Sequence, residues 1–300
     1  MSFPTVDKSF TVDLPALASL DLKGKSLLVV GGTDGIGKAI AIAAAERGAA
    51  VTVVGRTNRL EPNDNYSITF VKADLSLMAE ARRIGAELPP CDVVVLTTGI
   101  IAAMKRQESA EGIELDMAIS YLSRLVILRE MAPRLKEGAR VFVMGFPGSA
   151  PTHTFENINT VEHYAGGPGK THMLTVLGNE ALVYHFAASP LFKGKVAFFG
   201  LSPGLIKTAI RNNIYTGVMA CLGPVIEAML GAFATSAAGY ASVAVPLLFA
   251  PGLEQHPGAG FNQACQPVIP ADMFVKDKDN VLPGQMFATG EAVVREKCNF

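Results

Sequence analysis

Gly31, Gly35 and Gly37 carry the first chemistry this 300-residue chain offers. They follow a short apolar run, Ser26 to Val30, and lead into Ile36, Ile40 and Ala44 at helical spacing. Strand, glycine turn and helix start therefore come in succession. At such a junction backbone N–H groups and the positive end of the helix dipole point outward, and missing Cβ atoms let a pyrophosphate approach. Asp34 is placed to cap the helix. The predicted anion site is Gly31, Thr33, Asp34, Gly35, Ile36 and Gly37.

Further polar residues recur just after other apolar runs. Arg56 follows Ala50–Val54, where the adenosine ribose of a dinucleotide would lie. A guanidinium there suits a 2′-phosphate, whereas an acidic residue would bond a free 2′-hydroxyl, so the expected nucleotide is NADP. Asp74 and Leu75 follow Ile68–Val71, with Asp74 placed to accept from an adenine amino group or to cap the next turn. Thr98 and Gly99 follow Val93–Leu96, and Gly99 permits close backbone approach.

The elements that must position these residues alternate regularly. Six apolar runs read as strands, the last two being Val141–Met144 and Val196–Phe199, separated by helical stretches. Ser76–Leu88 reads as a helix capped by Ser76 and stopped by Pro89 and Pro90. Glu108–Arg134 reads as one long helix, apolar on more than one side, with surface left for a possible second subunit. Ala237–Leu248 reads as the last large helix. Alternation of this kind gives a parallel sheet with right-handed crossovers and a ligand crevice at the C-terminal strand ends. The fold class expected is α/β, a doubly wound parallel sheet in one domain. An extension covers 1–22, the sheet domain 23–250, and a tail packing on that domain 251–300.

Composition narrows the function classes. Apolar residues make up 49% and the net charge is −1, which leaves no basic field for nucleic acid or anionic lipid. The four cysteines are far apart, with no metal-site spacing, so no metal is expected. The charged N-terminus, MSFPTVDKSFTVDLP, lacks the apolar core of a signal peptide, which points to the cytoplasm. Ala228–Ala250 has no Asp, Glu, Lys or Arg. Its Ala, Ser, Gly and Thr content, Pro246 and missing basic flanks nevertheless argue against a membrane span.

Taken together, residues from about Lys23 to Gly260 resemble the short-chain dehydrogenase/reductase family, which has a Rossmann fold. The glycine turn is similar, with Val30 where most members carry Thr. Ala73-Asp74-Leu75-Ser76 resembles the adenine-site segment. Leu96-Thr97-Thr98-Gly99-Ile100 keeps only the glycine of N-N-A-G. Ser202-Pro203-Gly204-Leu205-Ile206-Lys207-Thr208 is similar to the family's P-G-x-[IV]-x-T. The resemblance there implies cofactor contacts from Pro203, Gly204, the Ile206 backbone and the Thr208 hydroxyl.

The departures fall on the catalytic set, which in the family is Asn, Ser and Y-x-x-x-K. There the tyrosine gives a proton to a carbonyl oxygen, while the lysine lowers the phenol pKa and holds the nicotinamide ribose. Here Ser120 stands at the Asn position, and Phe146 at the Ser position with Ser149 the next hydroxyl. Lys170 fits the lysine, yet Gly166 occupies the position four before it. Tyr164 is six before Lys170, across Gly-Gly-Pro-Gly, with the helix expected to begin near Pro168. That spacing matches neither the usual four nor the seven of the family's enoyl reductases. His163 and His172 are alternative proton carriers. The candidate catalytic residues are Tyr164, Lys170, Ser149 and Ser120.

Residues 211–236 are apolar with Gly and Pro breaks, the pattern of a mobile lid over an apolar small molecule. The expected activity is NADP(H)-dependent reduction of a carbonyl or activated alkene in a lipophilic compound. Two alternatives remain open at this point: isomerase, dehydratase or cyclase chemistry on the same scaffold, and a catalytically silent NADP(H)-binding protein.

Overall fold

A computed structural model describes residues 10–149, 154–160, 162–206, 234–277, 279 and 281–300. The expected lid (211–236) lies outside the described residues except for its last three positions, and Thr208 lies outside them altogether. Eight strands form one sheet: β1 (Ser26–Val30), β2 (Ala50–Gly55), β3 (Ile68–Lys72), β4 (Val93–Leu96), β5 (Ala139–Met144), β6 (Val196–Leu201), β7 (Gly260–Phe261) and β8 (Pro267–Val268). Their order is β3-β2-β1-β4-β5-β6-β7-β8, parallel throughout except for the β7–β8 pair. Chain order reverses between β1 and β4, so their C-terminal ends open the crevice in which α/β sheets bind ligands. Near-continuous Val, Leu and Phe in the central strands reflect burial on both faces.

Two apolar cores lie on either side of the sheet. On one side α1 (Gly35–Ala45) packs with α6 (Ala237–Leu248), joined by Phe10, Val12, Leu14 and Leu20 from the N-terminal segment. The other side holds α2 (Met78–Glu87), α3 (Leu115–Met117), α4 (Ser123–Met131), α5 (Lys170–Ala188), α7 (Asp272–Lys276) and α8 (Leu282–Cys298). Among the described residues no helix is long and apolar enough to cross a membrane.

Three expectations about elements need correction. Helix α2 starts at Met78, not Ser76. Ser76 is itself held by Asp74, and the carboxylate of Glu111 takes the free Met78 and Ala79 amides. The long helix starts at Leu115, because Glu108 and Glu114 bridge as extended backbone and the Glu114 side chain then accepts from Met117 N. Between α3 and α4 the backbone widens into one π turn, Ala118–Leu122, a feature often found at functional positions. Finally, Ala237–Leu248 is not the last large helix, since α8 follows it.

Helix α8 lies on the apolar face that the long helix had to spare. Tyr121 is fully buried and donates to Met286 O at 3.0 Å, and Glu291 pairs with Arg129 at 3.0 Å. Two glycines inside helices make room for Tyr121. A Cβ on Gly178 would stand 2.6 Å from its ring, and one on Gly290 would stand 3.1 Å from its hydroxyl.

Candidate active site

The glycine turn is built as its sequence requires. Gly31 and Gly35 have φ of +89° and +53°, which side chains rarely adopt. Asp34 caps α1 by accepting from Gly35 N at 2.7 Å. Helix geometry leaves the Ile36 and Gly37 amides without an intrahelical acceptor. A Cβ on Gly37 would lie 2.3 Å from Gly31 O, so helix start and turn are in direct backbone contact.

A cleft of about 130 Å³ opens from this turn, lined by Gly31, Thr33, Gly55, Arg56, Ala73, Asp74, Leu75, Ser76, Thr98, Gly99, Ile100 and Ile119. The structure thus gathers the residues expected at the adenosine end. Arg56 is exposed and has no partner among the described residues. The neighbouring Arg59, which the sequence reading passed over, is tied instead to Asp34. Asp74 spends one oxygen on Ser76 N and Oγ, at 3.0 and 2.8 Å. Thr98 Oγ1 is buried in the cleft wall without a hydrogen-bond partner. An orphaned hydroxyl, open helix-start amides and an unpaired guanidinium fit a phosphate-bearing nucleotide. Pro203, Gly204 and Ile206 follow β6, with Gly204 at φ +67° and packed on Gln263.

Among the described residues no hydrogen bond joins the expected catalytic residues Tyr164, Lys170, Ser149 and Ser120 to one another. Lys170 opens α5 with its side chain in solvent and no partner among the described residues. Ser149 is exposed on the turn after β5. Phe146 is 45% exposed. The position four before Lys170 is closed, because a Cβ on Gly166 would stand 2.2 Å from Ala103 O and 2.8 Å from Met104 Cα. The loop after β4 thus fills the space in which a family tyrosine would begin, held by Gly167 N donating to Ala102 O at 2.9 Å. Tyr164 donates its phenol to Ala103 O at 2.5 Å, and burial, with Glu114 and Asp116 nearby, pushes its pKa up to about 12. Only the Arg106 charge opposes that rise, and it does not offset burial. Ser120 is buried on the π turn.

Other polar groups hold the strand ends together. Arg124 is buried and bonds Thr98 O after β4, Met144 O at the end of β5, and Asn179 Oδ1 on α5 at 2.9 Å. Burial pushes its pKa down to about 9, so it stays charged at neutral pH. Asn179 in turn donates to Ser120 O at 2.8 Å. Asp116 is fully buried, accepting from Ser120 Oγ at 2.5 Å and facing His172 Nδ1 at 2.7 Å. Sequence reading missed Arg124, Asn179 and Asp116. The available signal was a polar residue isolated in an apolar helical run, which must find a partner to be buried.

Burial also acts on Glu114, raising its pKa to about 7, with the Asp116 charge adding to the rise and Arg106 opposing it. A carboxyl raised in the fold stabilises it below its ordinary value of 4.5, and that stabilisation is lost as pH climbs through 7. The gap amounts to about 3 kcal/mol at most. Glu114→Gln should therefore flatten the fall in melting temperature between pH 5 and pH 8, read by calorimetry. A variant with the wild-type slope would remove Glu114 as its source.

A short chain dehydrogenase family pattern matches residues 25–154. An uncharacterized oxidoreductase of Saccharomyces cerevisiae, YKL107W, is 38% identical over 269 residues, covering 86% of this chain and 85% of the yeast protein. Among solved structures, a protein from Mycobacterium paratuberculosis superposes with a TM-score of 0.67 at 17% identity, covering 92% of this chain and 97% of that one. A short-chain dehydrogenase/reductase from Serratia marcescens gives 0.55 at 19% identity, covering 81% and 97%. At those identities the structural likeness speaks for the fold alone, and the yeast relative carries the kinship. With that relative and the family pattern together, the chain belongs to the short-chain dehydrogenase/reductase family.

Proposed function

We propose that this oxidoreductase is an NADP(H)-dependent reductase of lipophilic carbonyl compounds. The observation that carries the reading is Arg56, a free guanidinium on the cleft beside the end of β2, at the position where an acidic residue would instead bond a ribose hydroxyl. Gly31, Gly35 and Gly37 would admit the pyrophosphate, the Ile36 and Gly37 amides would bond it, and Asp74 and Leu75 would flank the adenine. A nicotinamide dinucleotide bound this way supplies hydride to the substrate carbon. The chain's own contribution is to orient the substrate carbonyl, exclude water and deliver a proton to its oxygen.

Apolar side chains support the substrate class. Met104, Phe146 and Leu205 are 55%, 45% and 41% exposed on the segments following β4, β5 and β6, where a substrate would meet the cofactor. Such residues favour a hydrophobic ligand.

The test is nucleotide binding followed by turnover. Arg56→Asp should weaken NADPH binding about 100-fold while leaving NADH within about threefold, measured by fluorescence quenching. An NADPH affinity unmoved by that change would overturn the cofactor assignment. Tight NADPH binding with no carbonyl or alkene reduced would favour a silent binding protein. Turnover without change in nicotinamide absorbance would favour non-redox chemistry.

A further inference from the structure

The floor of the cleft is fastened from behind on both sides of one residue. Thr98, Gly99 and Ile100 all line the cleft. Thr98 O accepts two bonds from buried Arg124, from Nε at 3.1 Å and from Nη2 at 2.5 Å. Ile100 N donates to Ser120 Oγ at 3.0 Å, and Ser120 donates in turn to buried Asp116 at 2.5 Å. Gly99, between them, has no hydrogen bond on its N–H or C=O among the described residues. A Cβ on Gly99 would point at Ser120 Oγ and Arg124 Nη2, 3.5 and 3.6 Å away. The cleft side of Gly99 therefore bears backbone alone.

The same guanidinium reaches past the end of a ladder. Strands β4 and β5 pair as far as Leu96 and Val143. Beyond that register Arg124 Nη1 bonds Met144 O and Asn179 Oδ1, so one planar fork joins both strand ends to α5. On the opposite side Thr97 N, Thr98 N and Thr97 Oγ1 all donate to Val30 O. The segment is thus tied to β1 and β5 at once. A peptide group already held still loses little freedom when a ligand bonds it.

We infer that Arg124 is a positioning residue for nucleotide binding: by drawing Thr98 O inward, it presents the Gly99 peptide group to the adenosine end of the coenzyme. Arg124 makes no contact with the nucleotide itself, and Ser120 holds the other flank of Gly99. The role rests on the nucleotide site proposed above, but not on the 2′-phosphate, since it concerns the cleft floor and not Arg56.

The experiment titrates the full chain with NADPH, NADH and adenosine 2′,5′-bisphosphate, read by calorimetry for affinity and by proton–nitrogen NMR. Arg124→Lys keeps the charge but cannot span both strand ends. It should weaken NADPH and the bisphosphate by about 10-fold each, equally because the bisphosphate contains the adenosine end. Tyr121→Phe removes the buried bond to Met286 O and should lower the melting temperature, yet leave both affinities within about twofold. The Gly99 amide signal, identified by its absence in Gly99→Ala, should move when the bisphosphate binds the wild type. Arg124→Lys with wild-type affinities, a loss no greater than that of Tyr121→Phe, or a Gly99 signal unmoved by bound bisphosphate would each overturn the role. If Arg124→Lys does not fold, Asn179→Ala frees one arm of the fork and should weaken both ligands about threefold or more. Unchanged affinities there would overturn the role as well. A wild type that binds NADH but not NADPH would sink the NADP assignment alone, the Gly99 signal under NADH then deciding this role. Binding of none of the three would bring down the nucleotide site, and this role with it.

Discussion

Gly37→Val is expected to yield a chain that binds neither NADPH nor NADH and melts roughly 10 °C lower, a destabilisation of about 3 kcal/mol or more. The reason is backbone contact. A Cβ at that position meets Gly31 O at 2.3 Å and Thr97 Oγ1 at 2.5 Å, and neither can retreat, because Gly31 N is bonded to Val54 O and Thr97 Oγ1 to Val30 O. To seat the new side chain, α1 must lift off the ends of β1 and β4, taking the Ile36 amide with it. Gly284→Ala is the matched control, since a Cβ there meets nothing within 4 Å. Calorimetry and fluorescence titration check both. A Gly37→Val protein with wild-type affinity would mean that nucleotide does not lie against this turn.

Removing α8 by ending the chain at Val281 is expected to destroy the isolated fold. Met286 and Val294 are fully buried in the core beneath α8, and Tyr121, Leu122 and Leu125 lose their cover with it. At roughly 2 kcal/mol for each large apolar side chain exposed, the loss rivals the whole stability of a typical domain, about 5–15 kcal/mol. The Arg129–Glu291 pair and the Phe287–His185 stack, centroids 4.1 Å apart, go as well. Size-exclusion chromatography with light scattering should show aggregates or self-associated species that bind a hydrophobic dye, and adding a peptide of residues 282–300 should reduce both. A truncated chain that stays monomeric with an unchanged melting temperature would show that α8 is dispensable.

Much of the scaffold could be read directly from the chain because its signals are local. Apolar runs, the Gly31–Gly37 turn and the Asp34 cap depend on residues a few positions apart. What escaped depends on distant partners. Ser76 has a capping side chain, but Glu111 reaches α2 from 33 residues downstream and takes the amides. The spare apolar face of the long helix was evident; that α8 would cover it was hidden in the segment 251–300, read only as a tail packing on the domain. At the site, Gly31, Arg56, Asp74 and Thr98 follow separate apolar runs in the sequence and line one cleft in the fold. The pairing of Asp116 with His172 spans 56 residues and could not be seen without the fold. Gly166 shows the same limit from the other side. Sequence recorded a missing tyrosine, and only the approach of Ala103 shows that its place is filled by backbone.

The cover supplied by α8 also sets a schedule. About 110 residues separate the end of α5 from the end of α8, which at roughly 5–20 residues per second is about 5–20 s of synthesis. During that interval the greasy groove around Tyr121 is already translated while the helix that seals it is still being made. A nascent polypeptide in this condition is a natural client for chaperones that shield hydrophobic surface at the ribosome exit.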